Sequence, residues 1–232
     1  SNGGLVTEMF ETISIAPVVL DPTAPGSHGE AILILGREDV DVESSGSISI
    51  TASEQVFLGS EGVITLDRIS TGADQMRVKS GSSIVNGAGA NTVNLFSGDL
   101  VLEAGSGAVG TAAEPINVDL VPGATLTVRA ANDVHVHERS GDLNLETAFS
   151  KTATVYLTAD GSIFDALDHD FTNILADDIV LTAGGGIGGP GNYLDLEAVG
   201  SGTVTATADA DMRIAVTSGN LNVRYILSTG GD

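Results

Sequence analysis

Almost every apolar stretch of this chain alternates with polar residues at period two. Ser47-Ile48-Ser49-Ile50-Thr51-Ala52, Asp99-Leu100-Val101-Leu102-Glu103-Ala104 and Asp178-Ile179-Val180-Leu181-Thr182-Ala183 all do so. A short strand with one buried face has this pattern, because successive side chains point to opposite sides of the pleat. Clusters of Gly, Ser, Asn and Asp separate the stretches, and no helical period is present after residue 30. Residues 31–228 therefore read as all β.

The strands share a register: a large aliphatic, any residue, a second aliphatic, any residue, then a small residue. Seven copies begin at Ile48, Met76, Leu100, Leu126, Val155, Ile179 and Val204, with the step between them varying from 24 to 29. Leu126 stands midway between Ile48 and Val204, so a 78-residue block is duplicated. A shift of 78 or 79 matches Ile84 to Ile163, Leu100 to Ile179, Val109 to Ile187, Ile116 to Leu194 and Leu143 to Leu221. The same shift backward takes Leu126 to Ile48.

Repeats of 20 to 50 residues mean solenoids, propellers or arrays. Helical repeats are excluded by the missing helical period, and a propeller blade needs about 40 residues. The sequence thus predicts a right-handed parallel β-helix, a β-solenoid with rungs of about 26 residues, three short strands per rung and a three-rung super-repeat. In the clearest rung the strands are 125–130, 133–137 and 142–146. Seven such rungs, about 4.8 Å apart, make a rod of roughly 34 Å. Leu102, Val128, Leu157 and Leu181 are expected in one axial stack, and Ala104, Ala130, Ala159 and Ala183 in one corner too narrow for branched side chains. Residues 1–30 do not match the repeat and read as a cap or linker, and 31–232 as a single repeat domain cut from a longer protein.

Composition narrows what such a rod can do. The chain is 42% hydrophobic but only 4% aromatic and lacks Trp, so its core must be filled by Val, Ile, Leu and Ala. A formal net charge of −22 repels phosphate backbones, which argues against nucleic-acid binding. No run approaches the roughly 20 apolar residues of a membrane-spanning helix. Cysteine is absent, so stability must come from burial and hydrogen-bond ladders.

The runs Ser140-Gly141-Asp142-Leu143-Asn144-Leu145, Thr158-Ala159-Asp160-Gly161-Ser162-Ile163 and Leu181-Thr182-Ala183-Gly184-Gly185-Gly186-Ile187-Gly188 resemble the repeat region of filamentous-haemagglutinin-like exoproteins and related large bacterial surface adhesins. The resemblance covers residues 46–228. It implies a right-handed parallel β-helix, export from a Gram-negative bacterium to the outside or the cell surface, and a role as stalk or adhesive shaft. The expected partners are an extracellular glycan or a protein of a host or neighbouring cell, met by a monomeric shaft.

Candidate chemistry is sparse. Asp165, Asp168 and Asp170 lie with His169 in the longest insertion of the second block; they read either as oxygen ligands for calcium or as a solvated acidic loop. His135 and His137 lie two apart on one strand, and read either as a surface pair or as two ligands of a zinc site that lacks an evident third. The glycines of 184–191 are followed by neither a helix nor Lys-Ser/Thr, so a phosphate-binding loop is excluded. The few basic residues are scattered and no nucleophile motif is present, which favours a non-catalytic protein; the alternative is a carbohydrate-active β-helix enzyme acting on extracellular glycan. The blocks diverge most at 148–154 and 165–173, where recognition is expected.

Overall fold

The structure, a computed structural model, describes residues 40–41 and 46–230. The region read as a cap or linker, residues 1–30, lies outside them. The described residues form stacked coils of parallel strands, with no helix among them. The β-solenoid architecture is thus as the repeat requires.

Each coil has two sides rather than three. One sheet runs from Val40–Asp41 through Val56–Ser60, Met76–Ser80, Leu100–Ala104, Thr125–Ala130, Leu143–Ser150, Ile174–Ala176 and Leu194–Ala198 to Ile214–Val216. The other runs from Ile48–Thr51 through Ile64–Ser70, Leu95–Ser97, Ile116–Leu120, Val134–Glu138, Thr154–Ala159, Asp178–Ala183 and Val204–Ala208 to Val223–Ser228. Nine rungs in each sheet give a rod of about 38 Å at the usual strand spacing. Segment 142–146, expected as a third side, belongs to the strand that stacks directly on Thr125–Ala130, with Leu126 beside Leu145. The reason is length. Two strands such as Thr125–Ala130 and Val134–Glu138, with the short turns that follow them, already use up a whole coil and leave no chain for a third strand.

Coil length is not uniform. In the second sheet, successive partners Ile50, Ile69, Leu95, Val118, Glu138, Ala159, Ala183, Ala208 and Ser228 stand 19 to 26 apart in the chain. The mean is about 22, not 26. The 78-residue block consequently spans three and a half coils, and every element reappears on the opposite sheet. Met76, Leu100 and Leu126 stack on one sheet, whereas their equivalents Val155, Ile179 and Val204 stack on the other. The expected single ladder is therefore two ladders. The steps from Ile48 to Met76 and from Leu126 to Val155, read as long coils, are one and a half short ones.

The interior is otherwise as expected. Leu102, Val128, Leu157 and Leu181 are all buried, the first two in one sheet and the last two in the other. The small-residue corner is likewise doubled: Ser80, Ala104 and Ala130 line one, and Ala159, Ala183 and Ala208 the other. Turns stack so tightly after these corners that a Cβ on Gly184 would lie 2.3 Å from the carbonyl oxygen of Asp160. Ser80 uses the room a methyl would leave, donating its hydroxyl to the carbonyl of Gly62 at 2.6 Å.

A candidate binding site on the second-block loops

Two successive rungs in each sheet are interrupted by an outward loop. In the second sheet, 87–94 separates Ile84–Asn86 from Leu95–Ser97, and 110–115 separates the bridge at Val109 from Ile116–Leu120. In the first sheet, 166–173 separates Ile163–Asp165 from Ile174–Ala176, and 188–193 separates the bridge at Ile187 from Leu194–Ala198. The 78-residue shift relates the two pairs, so the half-coil offset puts equivalent loops on different sheets.

A loop leaving a sheet takes its hydrogen-bonding groups with it, and the neighbouring strand must find others. Leu66 pairs with Asn86 and Ile69 with Leu95, which leaves Asp67 and Arg68 without a ladder partner on that side. Asn94 fills the gap. Its Nδ2 donates to the carbonyls of Leu66 and Asp67, each at 3.2 Å, and to Oδ1 of Asn86 at 2.9 Å; its Oδ1 accepts the Asn117 N–H at 3.0 Å. Asn86 Nδ2 donates to the carbonyls of Gly89 and Pro115, and Asn117 Nδ2 to those of Ala90 and Thr92. Three buried amides thereby tie both loops to the sheet.

In the second block the corresponding residues are Asp165, Asn173 and Asp195. Asn173 keeps its role: Nδ2 donates to Asp165 Oδ1 at 2.7 Å, and Oδ1 accepts the Asp195 N–H at 2.9 Å. The outer two amides have become carboxylates. Asp165 is buried and accepts from the N–H groups of Leu167 and His169, so its oxygens are engaged. Asp195 is only 7% exposed, and its side chain makes no hydrogen bond among the described residues. Burial holds its carboxyl above the ordinary range, the charges of Asp165 and Asp170 push the same way, and His169 partly offsets them.

The sequence-derived candidates Asp165, Asp168 and Asp170 thus share a loop but not a centre. Asp168 is exposed at φ 47°, standing where the first block has Gly89 at φ 94°, and Asp170 is exposed beside it. Among the described residues no three His, Asp or Glu side chains form a group suited to a metal ion. Asp195, which does face this loop, escapes a reading of alternation, because a polar residue on a strand is assigned to the outside. Its signal is the shift itself, which pairs Asn86 with Asp165 and Asn117 with Asp195. Of the second divergent segment, 148–150 completes strand Leu143–Ser150 and only 151–153 is a turn.

The loops also differ in what they show to solvent. Phe171 is 74% exposed, Tyr193 and Leu167 about half, and the His169 and Phe171 rings meet edge to face at 4.8 Å. The first-block loops carry Ala88, Ala90, Ala112 and Ala113 and no aromatic residue.

Two other clusters have titratable groups. His135 stacks on Tyr156 with ring centroids 4.2 Å apart, and burial lowers its pKa against the raising charge of Asp133. His137 sits between Asp160 and Arg139, so the pair is engaged separately and does not converge as a zinc site would require. Glu138 occupies an inward position between Val118 and Ala159, fully buried, its carboxylate accepting from the N–H groups of Leu120 and Ser140. Burial pushes it up to about 7 despite those bonds, with Asp119 adding to the rise. Its sealed position suits a structural acid better than one that touches a substrate. A shallow groove of about 320 Å³ passes over Thr158, Thr182 and Thr207 between Asp160 and Asp209, without a basic residue in its lining.

These features define an all-β solenoid with two-sided coils and one loop pair that departs from its duplicate. No protein-family model matches the chain, and comparison with curated proteins and with solved structures finds no match.

Proposed function

We propose that this chain is a stiff, non-catalytic shaft segment of a secreted or cell-surface bacterial protein of the adhesin type, exported from a Gram-negative cell. The single observation carrying the reading is the division of labour between interior and exterior. The core is a stack of mainly aliphatic ladders from Ile48 to Ala208, while variation is concentrated in outward loops. In a solenoid the inward residues are dictated by stacking, so recognition belongs to residues that leave the coil. Phe171 and Tyr193 offer two rings for an apolar sugar face or for side chains of a host or neighbouring-cell protein. The acidic exterior keeps such a rod soluble and away from polyanions.

Binding of the labelled chain to immobilised glycans and to intact cells tests this. The expected result is saturable binding that Phe171→Ala with Tyr193→Ala weakens about tenfold or more, with folding unchanged. Release of reducing ends or unsaturated products from a polysaccharide would overturn it in favour of a carbohydrate-active enzyme.

A further inference from the structure

The last strand of the second sheet, Val223–Ser228, has two duplicates inside the stack, and they show how the same strand looks when covered. Val223–Ser228 pairs with Val204–Ala208, Leu143–Ser150 with Thr125–Ala130, and Ile64–Ser70 with Ile48–Thr51. All three pairs skip one residue at the same place, directly after Val223, Leu145 and Leu66. The skipped residues are Arg224, Glu146 and Asp67. Leu221, Val223 and Ile226 therefore correspond to Leu143, Leu145 and Ala148, and to Ile64, Leu66 and Ile69. The six inner residues are 0–1% exposed, whereas Leu221, Val223 and Ile226 are 43%, 50% and 42% exposed. With Tyr225 and Leu227, also exposed, they form a continuous apolar edge of a kind that marks interaction sites on soluble proteins.

The rung that covers the two inner strands has one form in both. Ile84 or Ile163 lies opposite Ile64 or Leu143, Asn86 or Asp165 opposite Leu66 or Leu145, and, after a loop, Leu95 or Ile174 opposite Ile69 or Ala148. The asparagine ahead of that last aliphatic residue, Asn94 or Asn173, donates Nδ2 to two successive carbonyls, those of Leu66 and Asp67 or of Leu145 and Glu146. A regular strand turns successive carbonyls to opposite edges, so the skipped residue is what offers both to one donor. The equivalent carbonyls on the last strand are those of Val223 and Arg224.

We propose that the edge of Val223–Ser228 is a docking site where another protein adds an extended segment as a parallel strand. The segment carries one aliphatic residue for Leu221 and, after a loop, an asparagine directly ahead of a second aliphatic residue for Ile226. Main-chain bonds to the edge give such a strand its affinity, and the alternate side-chain positions give it specificity. A second copy of this chain does not fit, because its own segments of this form, 84–97 and 163–176, are already paired to rungs on either side. The edge would serve equally on a protein that was not an adhesin shaft.

A synthetic peptide of residues 82–98, which contains Ile84, Asn86, Asn94 and Leu95, serves as the probe. Fluorescence anisotropy of the labelled peptide against the whole chain should show saturable binding, and hydrogen exchange should slow at 221–228 and not elsewhere. Asn94→Ala in the peptide should weaken binding about tenfold, since it removes the donor to two carbonyls. Ile226→Asp in the protein should abolish binding and leave the thermal midpoint nearly unchanged, because this side chain is exposed in the unbound chain. Fusing the peptide behind residue 232 through a flexible Gly-Ser linker raises its effective concentration, so the fusion should melt higher than the chain alone, and Ile226→Asp should remove that gain. Absence of both free binding and the fusion's gain would overturn the proposal, as would binding that Ile226→Asp leaves intact. Binding only in the fusion would assign the edge to its own polypeptide and also overturn it. So would sedimentation showing that copies associate through 221–228 and exclude the peptide.

Discussion

The loop pair 87–94 and 110–115 and the loop pair 166–173 and 188–193 are built on the same frame and put to different uses. In both, a central asparagine, Asn94 or Asn173, replaces the main-chain partners that the departing loop removes. Around it the first pair has amides that donate to loop carbonyls and small side chains outside; the second has carboxylates inside and Phe171, Tyr193 and Leu167 outside. Duplication preserved the frame and its central asparagine, and not the polar residues on either side of it. Two kinds of buried polarity result. In the first pair every amide Nδ2 is engaged and one oxygen, Asn117 Oδ1, is buried without a partner among the described residues, whereas in the second the Asp195 carboxylate stands where the Asn117 donor was.

The sharpest way to break this contrast is to give the first pair the second pair's chemistry. Asn117→Asp would remove the donor to the Ala90 and Thr92 carbonyls and bury a carboxylate in its place. The expected loss, in chelator at neutral pH, is about 3 kcal/mol by urea unfolding. A loss below about 0.5 kcal/mol would mean that these amide bonds do not hold the loop, and the contrast with Asp195 would lose its meaning.

A second, smaller effect lies at Glu138, whose equivalents under the shift are Ser60 and Val216. Its folded pKa of about 7 stands above its ordinary 4.5, so the folded state binds the extra proton between those values. Stability from this group is complete below about pH 4.5 and is lost as pH rises through 7, a change of about 2–3 kcal/mol. Glu138→Gln should remove that slope from the pH profile of unfolding. Subtracting the variant from wild type isolates the group from His135, whose lowered pKa acts in the opposite sense. A difference that is flat from pH 4.5 to 7.5 would show that Glu138 is ionised throughout.

Much of this was legible in the chain. Period-two alternation found the strands, and the inward positions Leu102, Val128, Leu157 and Leu181 are buried as it requires. The 78-residue duplication is real and is what aligns the two loop pairs. Two things were hidden. The single coil from Met76 to Leu100 is lengthened by a loop until its span approaches that from Leu126 to Val155, which is one and a half coils without a loop. Spacing alone cannot tell them apart, so one ladder was expected where two exist. The site residues were hidden because binary patterning places polar groups outside. Asn94, Asn117, Asn173 and Asp195 are inside because a loop has left the ladder short of partners, and only tertiary pairing shows where that happens.

The half-coil offset is the central claim, and disulfide trapping tests it most directly, since the chain has no cysteine of its own. Arg129 and Phe149 are direct neighbours in adjacent rungs of one sheet. Arg129 and Thr158, which would be neighbours on successive rungs of a single-ladder solenoid, lie on different sheets. Cysteines at 129 and 149 stand within the Cα separation of about 4.4–6.8 Å that a disulfide needs, and those at 129 and 158 do not. Mild oxidation should give rapid intramolecular cross-linking of Arg129→Cys with Phe149→Cys and none of Arg129→Cys with Thr158→Cys. Cross-linking of the second pair in place of the first would contradict the offset.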